Sequence, residues 1–290
     1  MAKGLFIVDF DGTLLRDDKT LAAIDLEALA MLRREGFLTA IATGRSFYSF
    51  QKIVAELRGG QSERTLPVDY VVFSTGAGIM SFPAAGIIKK YSLPAEDVIA
   101  VSTVLDDFGL DYMIHRPVPD TEHFIYRAGS DPNSDFHNRL TLYQEFASPL
   151  TPERLACFGE ATQLLCIVTK EKGERISTRL SDMFHRQSVI KATSPLDNQS
   201  IWIEIFAAGV SKSSAVRWLS RKVGVPRSRI GAVGNDYNDE DLLNWAGEGY
   251  MVANGPPSLH SPYTVVASNN QGGVAAAACR WLRMKILQVF

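Results

Sequence analysis

Apolar positions near the start of the chain fall in short unbroken runs separated by amphipathic stretches. Leu5 to Val8 is wholly apolar and ends at a polar turn. Over Thr20 to Glu35, the residues Leu21, Ile24, Ala28, Leu29 and Leu32 recur at helical spacing, and Gly36 follows as a stop. Phe37 to Ala42 reads as a second strand, Ser46 to Leu57 as a second helix and Tyr70 to Phe73 as a third strand; Gly59 to Thr65 is a polar loop. Apolar strands alternating with helices predict a parallel sheet covered on both faces. From about Ser81 to Ala207 the pattern changes. Tyr112 to Arg116 and His123 to Tyr126 flank a turn at Pro117 to Asp120, and Gln163 to Val168 and Ile201 to Phe206 are further strands. Helical patterns lie near Glu96 to Phe108, Pro152 to Gly159 and Gly173 to Phe184, which is α+β character. After Gly209 the alternation returns: helix from Ser211 to Val223 with Ser211 as its N-cap, strand 230–233, helix 240–245, strands 250–253 and 264–267, and a closing helix over 273–287.

The expected fold class is therefore α/β: a Rossmann-like doubly wound parallel core, 1–81 and 209–290, split in sequence by an α+β insertion over 82–208. Composition agrees with a globular chain, at 290 residues, 46% hydrophobic and 21% charged. A net charge of −2 carries no basic footprint, so no nucleic-acid or anionic-membrane partner is expected. No run approaches the roughly 20 apolar residues that span a bilayer, and the apolar start at Leu5 to Val8 is too short for a signal peptide. The three cysteines, Cys157, Cys166 and Cys279, have no CxxC spacing and read as reduced, buried residues. A cytoplasmic protein, monomer or homodimer, is expected.

Candidate chemistry sits at the end of the first strand. Asp9 and Asp11 are two residues apart, so their carboxylates point the same way. The carboxyl ends of parallel strands are where open α/β sheets place ligands, and Gly12 lets the chain turn there. Two like charges so close favour a divalent cation or a shared proton, and an all-oxygen inventory suits a hard ion such as Mg²⁺. One carboxylate can attack phosphorus while the other handles protons.

Asp9-Phe10-Asp11-Gly12-Thr13-Leu14 resembles the first motif of the haloacid-dehalogenase superfamily of phosphotransferases. Ala42-Thr43-Gly44-Arg45, Gly209 to Ala215 and Gly234-Asn235-Asp236-Tyr237-Asn238-Asp239 resemble its second, third and fourth motifs in the right order, and Val252 to Gly255 and Asn269 to Ala275 resemble its closing stretch. The insertion is similar in position and size to the large α/β cap of the Cof-type subgroup. The resemblance implies a Mg²⁺-dependent phosphatase acting on a small phosphorylated metabolite, such as a sugar phosphate, with Asp9 as nucleophile and Asp11 as general acid/base. It implies that Thr43 and Lys212 complete the catalytic set, and that Gly12, Thr43, Gly44, Arg45, Lys212 and Asn238 surround the phosphoryl group. Asp9, Asp11, Asn235, Asp236 and Asp239 are the metal-ligand candidates. The family usually has Gly-Asp-x-x-Asn-Asp at the fourth motif, and Asn235 breaks that pattern. Three outcomes stay open: Asn235 ligates through its neutral carbonyl, Asp236 takes over after a small backbone shift, or metal binding weakens. Asp239 stays near the metal in each. Thr75-Gly76-Ala77 stands where the family commonly has Asn-Gly-Ala. Asn254, Asn269 and Asn270 read as turn chemistry or as residues lining the site, and His115, Arg116, His123 and Tyr126 as a cluster able to read a sugar or second anion, or as strand decoration. The alternatives to a phosphatase are a phosphomutase with the same intermediate and a catalytically weakened phospholigand-binding protein.

Overall fold

A computed structural model describes residues 2–59, 66–84, 86–129, 133–197 and 199–287. The polar loop expected over 59–65 lies, past Gly59, outside them. By contact the chain divides into two units, one of residues 1–45, 50–89 and 211–290 and one of residues 46–49 and 90–210.

The strands of the first unit are β1 (Leu5–Val8), β2 (Leu38–Ala42), β3 (Tyr70–Phe73), β4 (Gly78–Ser81), β5 (Ile87–Lys90), β12 (Ile230–Gly234), β13 (Glu248–Val252) and β14 (Thr264–Val266); those of the second are β6 (Tyr112–His115), β7 (Phe124–Arg127), β8 (Ala147–Pro149), β9 (Gln163–Val168), β10 (Ser188–Thr193) and β11 (Ile201–Phe206). The helices in chain order are α1 (Ala23–Arg34), α2 (Phe47–Gly59), α3 (Ala95–Asp107), α4 (Ser134–Leu142), α5 (Pro152–Ala156), α6 (Lys170–Met183), α7 (Lys212–Val223), α8 (Glu240–Trp245) and α9 (Gly273–Leu287).

The first sheet has the order β14-β13-β12-β1-β2-β3-β4-β5. It is parallel from β14 through β3 and turns antiparallel at β4. The strand residues alternate between two covered faces, as the pleat requires. Leu5 and Ile7 join Ala215, Val216 and Leu219 of α7 and Leu242 and Leu243 of α8. Phe6 packs instead on Trp281 of α9, with ring centroids 5.3 Å apart, and Phe37 meets the same indole at 5.1 Å. The buried carboxylate of Asp25 in α1 accepts the Ala275 N–H at 2.8 Å, tying α1 to the start of α9. Its acidity is weakened by burial and partly restored by that bond. The chain leaves β1 for β2 on one side and returns to β12 on the other. That reversal of strand order at β1 creates the crevice that binds ligands in open α/β sheets.

The inserted unit is a sheet of order β10-β11-β9-β6-β7-β8, antiparallel except for the β7–β8 pair. Leu164, Cys166 and Val168 face Val101 and Leu105 of α3 and Ile176 and Leu180 of α6. Leu165 and Ile167 face Phe136 of α4 instead. Helix α4 is absent from the hydrophobic pattern; Asn133 starts it by accepting the N–H groups of Asp135 and Phe136 at 2.8 and 3.2 Å. The cysteine expectation is corrected: Cys166 is buried, but Cys157 and Cys279 are exposed. The hydrophobic stretch around each of these two belongs to a helix or helix end whose apolar side they do not share.

The expected His115–Arg116–His123–Tyr126 cluster does not form one recognition surface. His115 Nδ1 lies 2.8 Å from the Thr121 carbonyl, so that nitrogen carries the proton and donates. Arg116 lies over the Phe158 ring and His123 against Phe146. Burial, and then the charge of Arg139, depress the His115 pKa to about 3. The unfolded chain gains a proton near the ordinary value of about 6.5, while the folded one stays neutral down to about 3. Stability is therefore full above the unfolded value and falls as pH drops through that window. Urea unfolding at pH 6 and pH 5 should show wild type losing about 1 kcal/mol more than His115→Asn, whose amide can still donate to Thr121. Equal losses would show that His115 is not held neutral.

Candidate active site

The parallel register sets Val8 opposite both Val233 of β12 and Ile41 of β2, so the residues just past each strand gather at one edge. Asp9 prolongs β1 by donating its N–H to the Val233 carbonyl at 2.9 Å. The chain then bends: Gly12 has φ +74°, and the N–H groups of Leu14 and Leu15 return to the Phe10 carbonyl at 3.1 and 2.8 Å. Thr43 ends β2, donating its N–H to the Val72 carbonyl at 2.9 Å while its hydroxyl accepts the Arg45 N–H at 3.0 Å. Beyond β3 the chain passes through Gly76 at φ +108°, where a Cβ would stand 2.2 Å from the Ser211 carbonyl oxygen. Only glycine lets the start of α7 come this close. Ser211 caps α7 by accepting the Ser214 N–H at 3.2 Å, and Lys212 is its first residue.

Lys212 is wholly buried. Its ammonium donates to Asp9 Oδ1 at 2.7 Å, Asp239 Oδ1 at 2.6 Å and Asn238 Oδ1 at 3.3 Å. Burial alone would lower its pKa; Asp239 and then Asp9 more than offset this and hold it charged, above its ordinary value. One cation thus faces two buried carboxylates. Asp9 shows the imbalance: burial first, then Asp239, push it up to about 7 against the pull of Lys212. Asp239 uses its other oxygen to accept the N–H groups of Asn235 and Asp236 at 2.9 and 3.1 Å, and the Asp236 side chain caps the turn by accepting the Asp239 N–H. Both acids are thereby engaged in shaping the loop after β12.

Asp11 points elsewhere. Arg45 grips it with two hydrogen bonds of 2.7 Å, Nε to Oδ2 and Nη2 to Oδ1. Gly44 passes between Asn238 and Thr75, since a Cβ there would lie 3.6 Å from the amide nitrogen of the first and the hydroxyl of the second. Asn254 donates to the Gly12 carbonyl at 2.7 Å and accepts the Asn269 N–H at 2.9 Å. Asn269 and Asn270 both donate to Asp17, at 2.9 and 2.8 Å. The three asparagines secure the turns behind the Asp9 loop.

A family model described as haloacid dehalogenase-like hydrolase matches residues 6–277. The chain belongs to that family, within its Cof-type group. The 5-amino-6-(5-phospho-D-ribitylamino)uracil phosphatase YitU of Bacillus subtilis is 27% identical over 280 residues, 93% of this chain and 94% of its own. Among solved structures, the phosphatase BT1666 of Bacteroides thetaiotaomicron superposes with a TM-score of 0.75 at 20% identity, covering 96% of this chain and 94% of its own. The subclass IIB sugar phosphatase BT4131 gives a TM-score of 0.72 at 18% identity, over 99% and 100% of the two chains. This haloacid dehalogenase-like hydrolase is an enzyme of the phosphatase type.

Phosphatases of the family generally use a divalent metal. Among the described residues, no three His, Cys, Asp or Glu side chains form a metal cluster. The hydrolase offers a mixed oxygen set instead. One end of the Asn235 amide lies 3.1 Å from Asp9 Oδ2, 3.0 Å from the Asp11 carbonyl oxygen and 3.1 Å from Thr13 Oγ1. Neighbouring ligands of an octahedral ion with bonds of about 2.1 Å stand about 3.0 Å apart. An amide oxygen at that end therefore makes, with Asp9 Oδ2 and the Asp11 carbonyl, the edges that a small hard cation needs, and the surplus negative charge of the Asp9–Asp239–Lys212 group favours one. The set fits the ion. Thr13, absent from the candidates drawn from the sequence, belongs to this loop; its place directly after Gly12 in the first motif was the available signal.

Lys212→Met leaves Asp9 and Asp239 buried without their cation. It is expected to cost on the order of 3–5 kcal/mol in chemical unfolding, and Asp9→Asn added to it should recover part of the loss. A double variant less stable than the single would contradict the charge imbalance. Thr75 has φ +53°, a left-handed conformation that β-branched residues adopt at a cost and Asn adopts readily. Thr75→Asn should raise stability by about 1 kcal/mol, whereas Thr75→Val, still β-branched, should not; a gain in neither or in both would mean that the backbone is unstrained.

Proposed function

We propose that this hydrolase is a Mg²⁺-dependent phosphomonoester phosphatase that works through a phospho-aspartate at Asp9. The observation that carries the reading is the division of the Asp9 carboxylate: Oδ1 on the Lys212 ammonium at 2.7 Å, and Oδ2 at 3.1 Å from the end of the Asn235 amide that also lies 3.0 Å from the Asp11 carbonyl. Lys212 draws negative charge to one oxygen and screens it from an incoming phosphate. That oxygen attacks phosphorus and the bond to the leaving alcohol breaks; Asp11, which takes up a proton from solvent once Arg45 has released it, gives that proton to the alcohol. Arg45 then faces the phosphoryl oxygens with the donor fork it now spends on Asp11. Asp11, ionised again, takes a proton from water, the water oxygen attacks phosphorus, and the P–O bond to Asp9 breaks to free phosphate. Thr43, Gly44 and Asn238 line the phosphoryl position, where a hydroxyl and N–H groups offset growing charge.

Asp9, the Asp11 carbonyl and Asn235 would hold Mg²⁺, with Asp236 and Asp239 shaping the loop that carries Asn235. When bound, the ion neutralises charge on the phosphoryl oxygens. The substrate class is a small phosphorylated metabolite with a sugar-like or polyol portion, supported by the phosphoribityl substrate in the name of YitU and by the inserted unit as a specificity element.

With p-nitrophenyl phosphate and Mg²⁺, wild type should release phosphate, chelation should stop it, and Asp9→Asn should lower the rate by at least about 10³-fold. Asp11→Asn should slow turnover while phosphate labels the protein. Release unchanged by Asp9→Asn would sink the reading, and isomerised substrate without free phosphate would make the enzyme a mutase.

A further inference from the structure

We propose that the Asn235 side chain is a two-position latch: its NH₂ group bridges Asp9 and the Asp11 carbonyl when no metal is present, and its oxygen takes that place when Mg²⁺ binds. This rests on reading Asp9, the Asp11 carbonyl and Asn235 as the metal set. The end of the amide in question has three neighbours within 3.1 Å: Asp9 Oδ2, the Asp11 carbonyl oxygen and the Thr13 hydroxyl. The first two only accept hydrogen bonds when Asp9 is ionised, and the third can donate or accept. With no cation, an amide oxygen there meets two oxygens and only Thr13 satisfies it, at 3.1 Å. Turning the amide by half a rotation puts nitrogen in the same position, and its two N–H bonds then point at acceptors. With a cation between the oxygens the preference reverses, because the nitrogen has no lone pair to offer. The two ends of an amide have nearly the same size, so the exchange needs no movement of the loop. The Thr13 hydroxyl donates to the amide oxygen in one position and is released in the other, where both N–H bonds go to Asp9 and the Asp11 carbonyl.

Asp at this position can serve only the second arrangement. A carboxylate facing Asp9 Oδ2 and a carbonyl without metal is three oxygens with no proton between them. Asn235 therefore exchanges metal affinity for a site that holds its shape while empty. Its N–H bonds also compete with the ion, which must displace them before it binds.

The test needs no turnover. Mg²⁺ binding is measured by calorimetry, and melting temperature is measured in EDTA and in saturating Mg²⁺, for wild type and Asn235→Asp. The variant should bind Mg²⁺ about tenfold or more tightly, since it adds a charge and has no N–H bonds to displace. It should also melt below wild type in EDTA and gain more from Mg²⁺. In ¹⁵N-labelled wild type, the Asn235 NH₂ resonances, assigned by their loss in Asn235→Ala, should exchange slowly with water in EDTA and faster with Mg²⁺. Equal metal affinity in the two proteins, equal melting in EDTA, no binding of Mg²⁺ to wild type, or NH₂ resonances indifferent to Mg²⁺ would each overturn the latch. Failure of the phosphatase reading would show differently, as absent phosphate release in a protein whose latch still responds to metal.

Discussion

A single buried ammonium organises the carboxyl edge of the parallel sheet. Lys212 is enclosed completely and its three hydrogen bonds go to side chains from two distant parts of the chain, Asp9 after β1 and Asn238 and Asp239 after β12. An isolated charge at such depth is not tolerated, so the loops carrying its partners have little freedom. Asp239 passes the constraint on: the oxygen not used by Lys212 takes two backbone N–H groups and so fixes where Asn235 begins. The position of Asn235 thus follows from how a lysine on another element is neutralised.

The fold makes that contact possible through two features of backbone geometry. Parallel pairing of β1 with both β2 and β12 brings Asp9, Thr43 and Asn235 to a common edge through backbone register alone. Gly76 then allows α7 to begin close behind β3. The N-terminus of α7 carries Ser211 and Lys212, so its cap and its dipole lie where negative charge collects. Helix dipole and ammonium oppose the same negative charge, and the burial of Lys212 strengthens its share.

The sequence disclosed most reliably what depends on local pattern. The strands at 70–73, 163–168 and 201–206 and the helices at 240–245 and 273–287 were readable because each is a run with one period and clear punctuation. Helix α4 was not, since its face toward the sheet is carried chiefly by Phe136 in a polar stretch. Strand β10 lies at a sheet edge and lacks the apolar density that marked its neighbour β11. The Asp9 turn could be recognised from its own spacing, but the grip of Arg45 on Asp11 could not, because 34 residues separate them and only the adjacency of β1 and β2 joins them. His115 is the opposite case. Its neighbours in sequence suggested recognition, yet tertiary packing left it buried and neutral. Long-range charge pairing and burial are properties of the assembled sheet, and neither is written in a window of a few residues.

Asn235, where the family usually has an aspartate, changes the charge balance at this edge. With Asn235 the buried group holds Asp9, Asp239 and Lys212, which leaves one negative charge unbalanced. An aspartate would leave two, at the same distance from Asp9, and the protein without metal would have to protonate one or spread the loops apart. Asp11 cannot relieve it, because its carboxylate is already committed to Arg45. A neutral residue that can still offer an oxygen is the remaining way to keep a ligand without adding to the repulsion. The amide also offers protons, which a carboxylate lacks, and Thr13 is placed to donate to its oxygen. The departure from the family pattern therefore leaves a loop that its own hydrogen bonds can hold together.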